Sequence, residues 1–321
     1  MAVYTHVDDE ALAAFLTLYD VGGLLSAKGI AEGVENTNYL LRTDRGTFIL
    51  TLYEQRVNQD ELPFFLNLME HAADKGLAVP RPIHRRDGGV ISQLCGRAAA
   101  MVTFLDGVAS RRPGPQLCAE LGRGLAEFHR ATADFGMTRR NGLGMEAWAP
   151  LFAQSRDDAG KVLPGLAELV ESELETLAAS WPATLPTGVI HADLFPDNVF
   201  FVRQRLSGLI DFYFACNDIL AYDLAICLNA WCFEEDGSFN VTKSQAMATA
   251  YNAVRPLSAA EIGAMPILAR GAALRFLLTR LHDWLRVPEG ALVTPKDPKD
   301  YVNRLRFHRQ VTRASEYGIG L

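Results

Sequence analysis

The sequence has no C-x-x-C pair, no G-x-S-x-G turn, no G-x-x-x-x-G-K-[ST] loop, and no basic block longer than a pair such as Arg85-Arg86, Arg111-Arg112 or Arg139-Arg140. The missing cysteine pairs and the lack of a second His or Cys at ligand spacing exclude a structural zinc site or zinc-centred hydrolysis. The missing serine elbow argues against an α/β-hydrolase, and the missing phosphate loop means that any nucleotide must be held in another way. Positive charge is scarce, with 31 Lys and Arg against 38 Asp and Glu, a net of −7. A chain of that sign repels phosphate backbones, so no nucleic-acid partner is expected unless the chain hides a basic cleft. Cysteine is sparse and odd in number, and most of Cys95, Cys118, Cys216, Cys227 and Cys232 sit in apolar runs that read as core. Reduced thiols in a cytoplasmic protein are expected. The start, MAVYTHVDDE, lacks the basic residues and apolar stretch of a secretory signal. The apolar run from Ala225 to Phe233 falls short of the roughly 18 residues that cross a bilayer, so no membrane partner is expected.

What is present is enough to bury a sizeable core: 321 residues, 49% hydrophobic and 21% charged. Tyr39 to Leu41 and Thr47 to Tyr53 flank the turn Thr43-Asp44-Arg45-Gly46 and predict a hairpin, with Leu24 to Ile30 as a further strand. After Asn58 and Asp60, Leu62, Phe65, Leu66, Met69 and Ala73 recur at helical spacing up to Gly76. Val90 to Ser92 and Ala98 to Phe104 predict two more strands around Gly96. Beyond Asp106-Gly107 the period changes. Leu117, Leu121, Leu125 and Phe128 form a helical stripe, and residues 145–179 and 262–285 also read as helix. Short strands are expected at Val189-Ile190, Val199 to Val202 and Leu206 to Ile210. The fold class is therefore α+β, with a β-rich nucleotide-binding lobe over 1–104, a mainly helical catalytic and substrate lobe over 105–321, and an expected ligand cleft between them.

The most informative stretch is Val189-Ile190-His191-Ala192-Asp193-Leu194-Phe195-Pro196-Asp197-Asn198-Val199, a strand, a polar loop and a strand. The loop has the spacing H-x-D-x-x-x-x-N, and Leu209-Ile210-Asp211-Phe212 follows downstream. Phosphoryl transfer from ATP needs such a set: one carboxylate to receive the proton of the attacking hydroxyl, and an Asn and a second carboxylate to hold Mg²⁺ on the phosphates. Asp193 is the candidate base, and Asn198 and Asp211 are the candidate metal ligands. His191 suits bracing the loop better than proton transfer. Asp197, beside Pro196, suits the turn. Asp223 opens the apolar run Leu224 to Leu228, where capping or loop bracing is favoured over a direct role.

These residues resemble the aminoglycoside phosphotransferase and choline kinase superfamily, which shares the two-lobed protein-kinase-like fold. The resemblance covers nearly the whole chain. Gly29 to Tyr39 is similar to the family's nucleotide loop, which puts Lys28, Gly29, Gly33, Asn36 and Asn38 near the phosphates. Met101 to Gly107 is similar to its hinge, which gives the adenine backbone partners at Met101, Thr103 and Phe104. Gly122 to His129 is similar to the helix that follows, and Tyr222-Asp223-Leu224-Ala225 to the segment after the metal-binding strand. Within the superfamily the chain resembles the bacterial homoserine kinases of this fold, on Glu35 to Tyr39, Phe48 to Glu54, Ala273 to Phe276 with Arg280 to Asp283, and the tail Pro295-Lys296-Asp297-Pro298 with Leu305 to His308.

The resemblance implies a cytoplasmic enzyme using Mg²⁺ and ATP to phosphorylate the hydroxyl of L-homoserine. Many relatives carry a Lys on the third strand where this chain has Thr51; the homoserine kinases also have Thr there, and Lys28 is the candidate substitute. An amino-acid acceptor needs a cation for its carboxylate and an acidic or carbonyl group for its ammonium. Arg275, Arg280 and Asp283, on one predicted helix, are the candidates, with Asp223 beside them; a surface ion-pair face fits the three helix residues nearly as well. The alternatives are a same-fold kinase for choline, ethanolamine or an aminoglycoside, and a catalytically silent nucleotide-binding module.

Overall fold

The computed structural model describes residues 5–30, 36–54, 58–287 and 295–320. The chain divides into two compact units, Met1–Asp106 with Gly208–Tyr213, and Gly107–Ser207 with Phe214–Leu321. In the first, α1 (Asp9–Leu16) starts where the Asp8 side chain accepts from the Ala11 N–H, a cap at the positive end of the helix. Strands β1 (Leu24–Ile30), β2 (Thr37–Thr43) and β3 (Gly46–Leu52), helix α2 (Leu62–Asp74), and strands β4 (Ser92–Leu94) and β5 (Arg97–Thr103) follow. The antiparallel sheet runs β1-β2-β3-β5-β4. Alternation is clear in β2, where Thr37, Tyr39, Leu41 and Thr43 are the buried set. Leu12, Phe15 and Leu16 of α1 join Tyr39, Leu41, Phe48 and Leu50 in one core.

The strand expected at Val90 to Ser92 lies two residues later. Cys95 and Gly96 both take positive φ, 50° and 73°, which sets the turn of the β4-β5 hairpin and hence its register. Cys95 is exposed, while the other four cysteines are buried and free, in line with the core reading of most of the five.

The second unit contains β6 (Val108–Ala109), α3 (Pro115–Ala131), α4 (Met145–Ala153), α5 (Ala159–Val162), α6 (Leu166–Ser180), β7 (Thr187–Ile190), β8 (Val199–Val202), the start of β9 (Arg205–Leu209), β10 (Cys216–Ile219), α7 (Leu220–Trp231), α8 (Val241–Val254), α9 (Ala259–Leu285) and α10 (Lys299–His308). Residues 145–179 are three helices rather than one. Gly165 takes φ +79° before α6, a left-handed break that no continuous helix tolerates. Helices α3 and α8 approach closely at Gly122, where a Cβ would stand 2.1 Å from the Met247 carbonyl oxygen. Among the described residues α9 is long and apolar enough to cross a membrane, yet 61% of that window is buried within the protein, as in a core helix.

Candidate functional site

The loop between β7 and β8 is held by charge. Ala192, the residue before Asp193, takes φ +65°, a left-handed conformation that costs a residue with a Cβ on the order of 1 kcal/mol and persists only where its surroundings impose it. The Asp223 carboxylate accepts from the His191 N–H at 2.7 Å and the Ala192 N–H at 2.9 Å. From the other side, Arg275 Nη1 donates to the Ala192 carbonyl oxygen at 2.5 Å. Asp223 is fully buried and Arg275 nearly so, so both polar groups of the strained peptide meet buried charges of opposite sign.

Behind Asp223 the bracket continues. His129 Nε2 lies 3.2 Å from its carboxylate, His129 Nδ1 2.8 Å from the Tyr251 hydroxyl, and Arg255 Nη1 donates to that hydroxyl at 3.1 Å. Arg255 in turn pairs with Glu261, whose carboxylate closes the capping box on Ser258 at the start of α9. Burial alone would raise the Asp223 carboxyl, but His129 and the loop N–H groups hold it below its ordinary value.

The bracket orients Asp193. Asn198 Nδ2 donates to both the Asp193 carbonyl at 2.8 Å and its carboxylate at 3.1 Å, and the turn is tightened by the Phe195 N–H donating to the Asp193 carbonyl. With its amide nitrogen spent inward, Asn198 has its Oδ1 left to offer, a hard oxygen of the kind Mg²⁺ takes. Asp211, in the first unit, is exposed and takes φ +66° at the end of β9. Mg²⁺ fills most of its shell with water and phosphate oxygens, so one Asn and one Asp are a donor set that fits it. His191 is wholly buried with its ring against Phe128, a position suited to bracing. Asp197 is exposed and faces Lys296 at 3.7 Å.

In the first unit Gly33 lies outside the described residues. Gly29 sits opposite Tyr39 and Lys28 opposite Leu40 in the β1-β2 ladder, and Lys28 is exposed. The Asn36 side chain accepts from the Glu54 N–H at 3.3 Å. Thr51, opposite Asn38 across β2-β3, donates its hydroxyl to Asn38 Oδ1 at 2.7 Å and also hydrogen-bonds Tyr213. The Tyr213 and Tyr53 hydroxyls are 3.1 Å apart. Burial pushes Tyr213 up to about 12 and Tyr53 well above its ordinary value, with the Asp211 charge acting in the same direction on both. Thr51 thus belongs to a neutral hydroxyl and amide cluster beside Asp211.

At the expected hinge the Met101 carbonyl accepts from the Ile83 N–H at 2.8 Å, the Thr103 N–H donates to Arg81 and the Phe104 N–H to Thr47. Those groups are committed within the unit. The next N–H, Leu105, makes no hydrogen bond among the described residues.

The residues expected at the acceptor separate. Asp223 and Arg275 form the loop bracket and are buried away from solvent, with Arg275 Nε left without a hydrogen-bond partner. Asp283 is exposed on α9, 3.5 Å from His282, and Arg280 lies against the Tyr301 ring of α10. The bracketing role of Arg275 was not read from the sequence, although an arginine inside the apolar run Ala272 to Leu278 is a signal that a buried acceptor awaits it.

The sequence model of the phosphotransferase enzyme family matches residues 26–257. The homoserine kinase of Xanthobacter autotrophicus is 62% identical over 319 residues, covering 99% of each chain. That of Methylobacterium nodulans is 62% identical over 318 residues, again 99% of each. Among solved structures, the amicoumacin kinase hAmiN in complex with AMP-PNP, Ca²⁺ and Ami superposes with a TM-score of 0.68 at 14% identity, covering 94% of this chain and 92% of that one. Choline kinase from Cryptosporidium parvum superposes with a TM-score of 0.68 at 13% identity, covering 94% and 95%. At those identities the likeness is one of fold, a β-rich unit joined to a helical one.

Proposed function

We propose, since the chain belongs to the phosphotransferase enzyme family and groups there with the homoserine kinases, that it transfers the γ-phosphoryl group of ATP to the side-chain hydroxyl of L-homoserine. The observation that carries the chemistry is the Asp193-Asn198 pair, two side chains locked together on a loop whose backbone is held by buried charge. Asp193 orients the acceptor hydroxyl and takes its proton late, after the loose transition state has largely formed. Asn198 Oδ1 and the Asp211 carboxylate hold Mg²⁺. When bound, that ion neutralises charge on the β- and γ-phosphates. The Leu105 N–H is the hinge donor left for the adenine. Support for the acceptor comes from full-length relatives that bear the name homoserine kinase.

A coupled ADP-release assay across homoserine, serine, threonine, choline and kanamycin tests this. The expected result is Mg²⁺-dependent turnover with homoserine well above the other four. Turnover highest with choline or kanamycin would move the acceptor to the same-fold alternatives, and a flat response to all five would leave a silent nucleotide-binding module.

A further inference from the structure

The proposed acceptor is an amino acid, and its α-carboxylate needs a cation that Arg275, 2% exposed and bonded to the Ala192 carbonyl, does not supply. The tail supplies one. Lys296 Nζ lies 5.2 Å from the centroid of the Phe195 ring, two residues from Asp193. The Phe195 ring packs edge-on against Phe276 at 4.9 Å, and Phe276 against Tyr301 at 5.4 Å. The guanidinium groups of Arg280 and Arg304 each lie 4.5 Å from the centroid of that same Tyr301 ring.

Two arginines gathered on one ring repel each other, and the counter-charge given to them is meagre. Arg280 has only long contacts, 3.3 Å to the Asp297 carbonyl and 3.4 Å to the Asp300 carboxylate, and that carboxylate is 63% exposed while Arg280 is 13% exposed. Arg304 donates to a neutral acceptor, the Asn229 carbonyl. The Tyr301 hydroxyl is buried, with the Arg304 guanidinium beside it. A partly desolvated pair of guanidiniums with one loose, exposed carboxylate is a place that favours an added anion, because water no longer screens the charges.

Resting on the kinase reading above, we infer that Arg280 and Arg304, on the Tyr301 platform and assisted by Lys296, receive the α-carboxylate of the acceptor and so set the preference for an amino acid over an amino alcohol. The rival position is the cavity of about 400 Å³ beside Pro196, lined among others by Arg112, Glu235, Glu234 and Lys243. There Arg112 donates two bonds to Glu235 and Lys243 pairs with Glu234 at 2.8 Å, closer than the 3.7 Å between Lys296 and the exposed Asp197.

The test compares L-homoserine with 3-amino-1-propanol, the same molecule without its carboxylate, in steady-state assays of the full chain. The native protein should prefer homoserine in kcat/KM by at least about a hundredfold. Arg280→Met and Arg304→Met should each raise the homoserine KM by about tenfold or more, leave the KM for ATP within twofold, and shrink the preference for homoserine. Arg280→Lys should recover part of the loss, and the native protein's preference for homoserine over homoserine amide answers the question even where a Met variant fails to fold. The inference is overturned if the native protein uses 3-amino-1-propanol or the amide as well as homoserine. It is equally overturned if both folded Met variants keep the native homoserine KM while Arg112→Met raises it. Loss of turnover with every acceptor in the native protein would instead fail the kinase reading.

Discussion

The loop that carries Asp193 and the strand end that carries Asp211 face the same physical problem and meet it with opposite chemistry. Each has a left-handed residue, Ala192 at φ +65° and Asp211 at φ +66°, that must be held against its own preference. In the helical unit the hold is ionic: Asp223 accepts from the His191 and Ala192 N–H groups, and Arg275 donates to the Ala192 carbonyl that follows them. Beside Asp211, in the β-rich unit, the neighbouring groups are neutral, the Tyr213, Tyr53, Thr51 and Asn38 cluster. Buried charge gives a stiff frame that fails badly when one member is removed, because the other is left unpaired. Hydroxyl hydrogen bonds give a softer frame, each worth about 1 kcal/mol and each removable without stranding a charge. The stiff frame sits under the residue assigned to proton transfer, whose placement tolerates little error. The softer one sits beside the residue assigned to the metal.

The largest effect expected is at the loop's own carboxylate. Asp193→Asn should lower kcat by a factor on the order of 10² to 10⁴ while ATP binding, followed by titration calorimetry, changes little. Next comes the frame. Asp223→Ala strands the His191 and Ala192 N–H groups and should cost about 3–5 kcal/mol in urea unfolding, with kcat falling as Ala192 relaxes. On the neutral side, Tyr213→Phe should cost only about 1 kcal/mol and weaken the apparent Mg²⁺-ATP affinity severalfold with kcat much less affected. If Tyr213→Phe proves as damaging as Asp223→Ala, the contrast between the two frames is false.

The smallest effect is read in pH. Burial, and then the Arg304 charge, hold the His308 imidazole down to about 3 from its ordinary 6.5. The unfolded chain therefore takes up a proton on His308 as pH falls through 6.5 while the folded chain does not. His308 contributes stability fully above 6.5 and loses it progressively between 6.5 and about 3. Asp223, held below its ordinary 3.8, adds a loss that begins only below that value. His308→Gln should flatten the fall of unfolding free energy between pH 7 and 5; an unchanged slope would mean that His308 is not the group responsible.

Much of this was legible in the sequence because local patterns coincide with local structure. The β2-β3 hairpin announced itself through Asp44-Arg45-Gly46 between alternating strands, and the spacing of Asp193 and Asn198 already fitted the loop between β7 and β8. Helix α7 did not announce its extent, since Leu220 to Trp231 is buried on nearly every side and shows no period for an amphipathic reading to catch. Strand β10, Cys-Asn-Asp-Ile, has little strand propensity and exists because it pairs with β7. Helix α1 was missed for the opposite reason, its eight residues giving barely two turns of pattern. The frames were illegible in principle. Arg275 reaches Ala192, and Tyr213 reaches Thr51, across long stretches of chain, and only the fold brings those pairs together.

The most direct test of the central claim is a ³¹P NMR assay of the native protein and Asp193→Asn, each with L-homoserine, ATP and Mg²⁺. The account predicts a phosphomonoester of homoserine accumulating with ADP from the native protein, and neither from the variant on the same timescale. A phosphomonoester formed by the variant at near the native rate would contradict it.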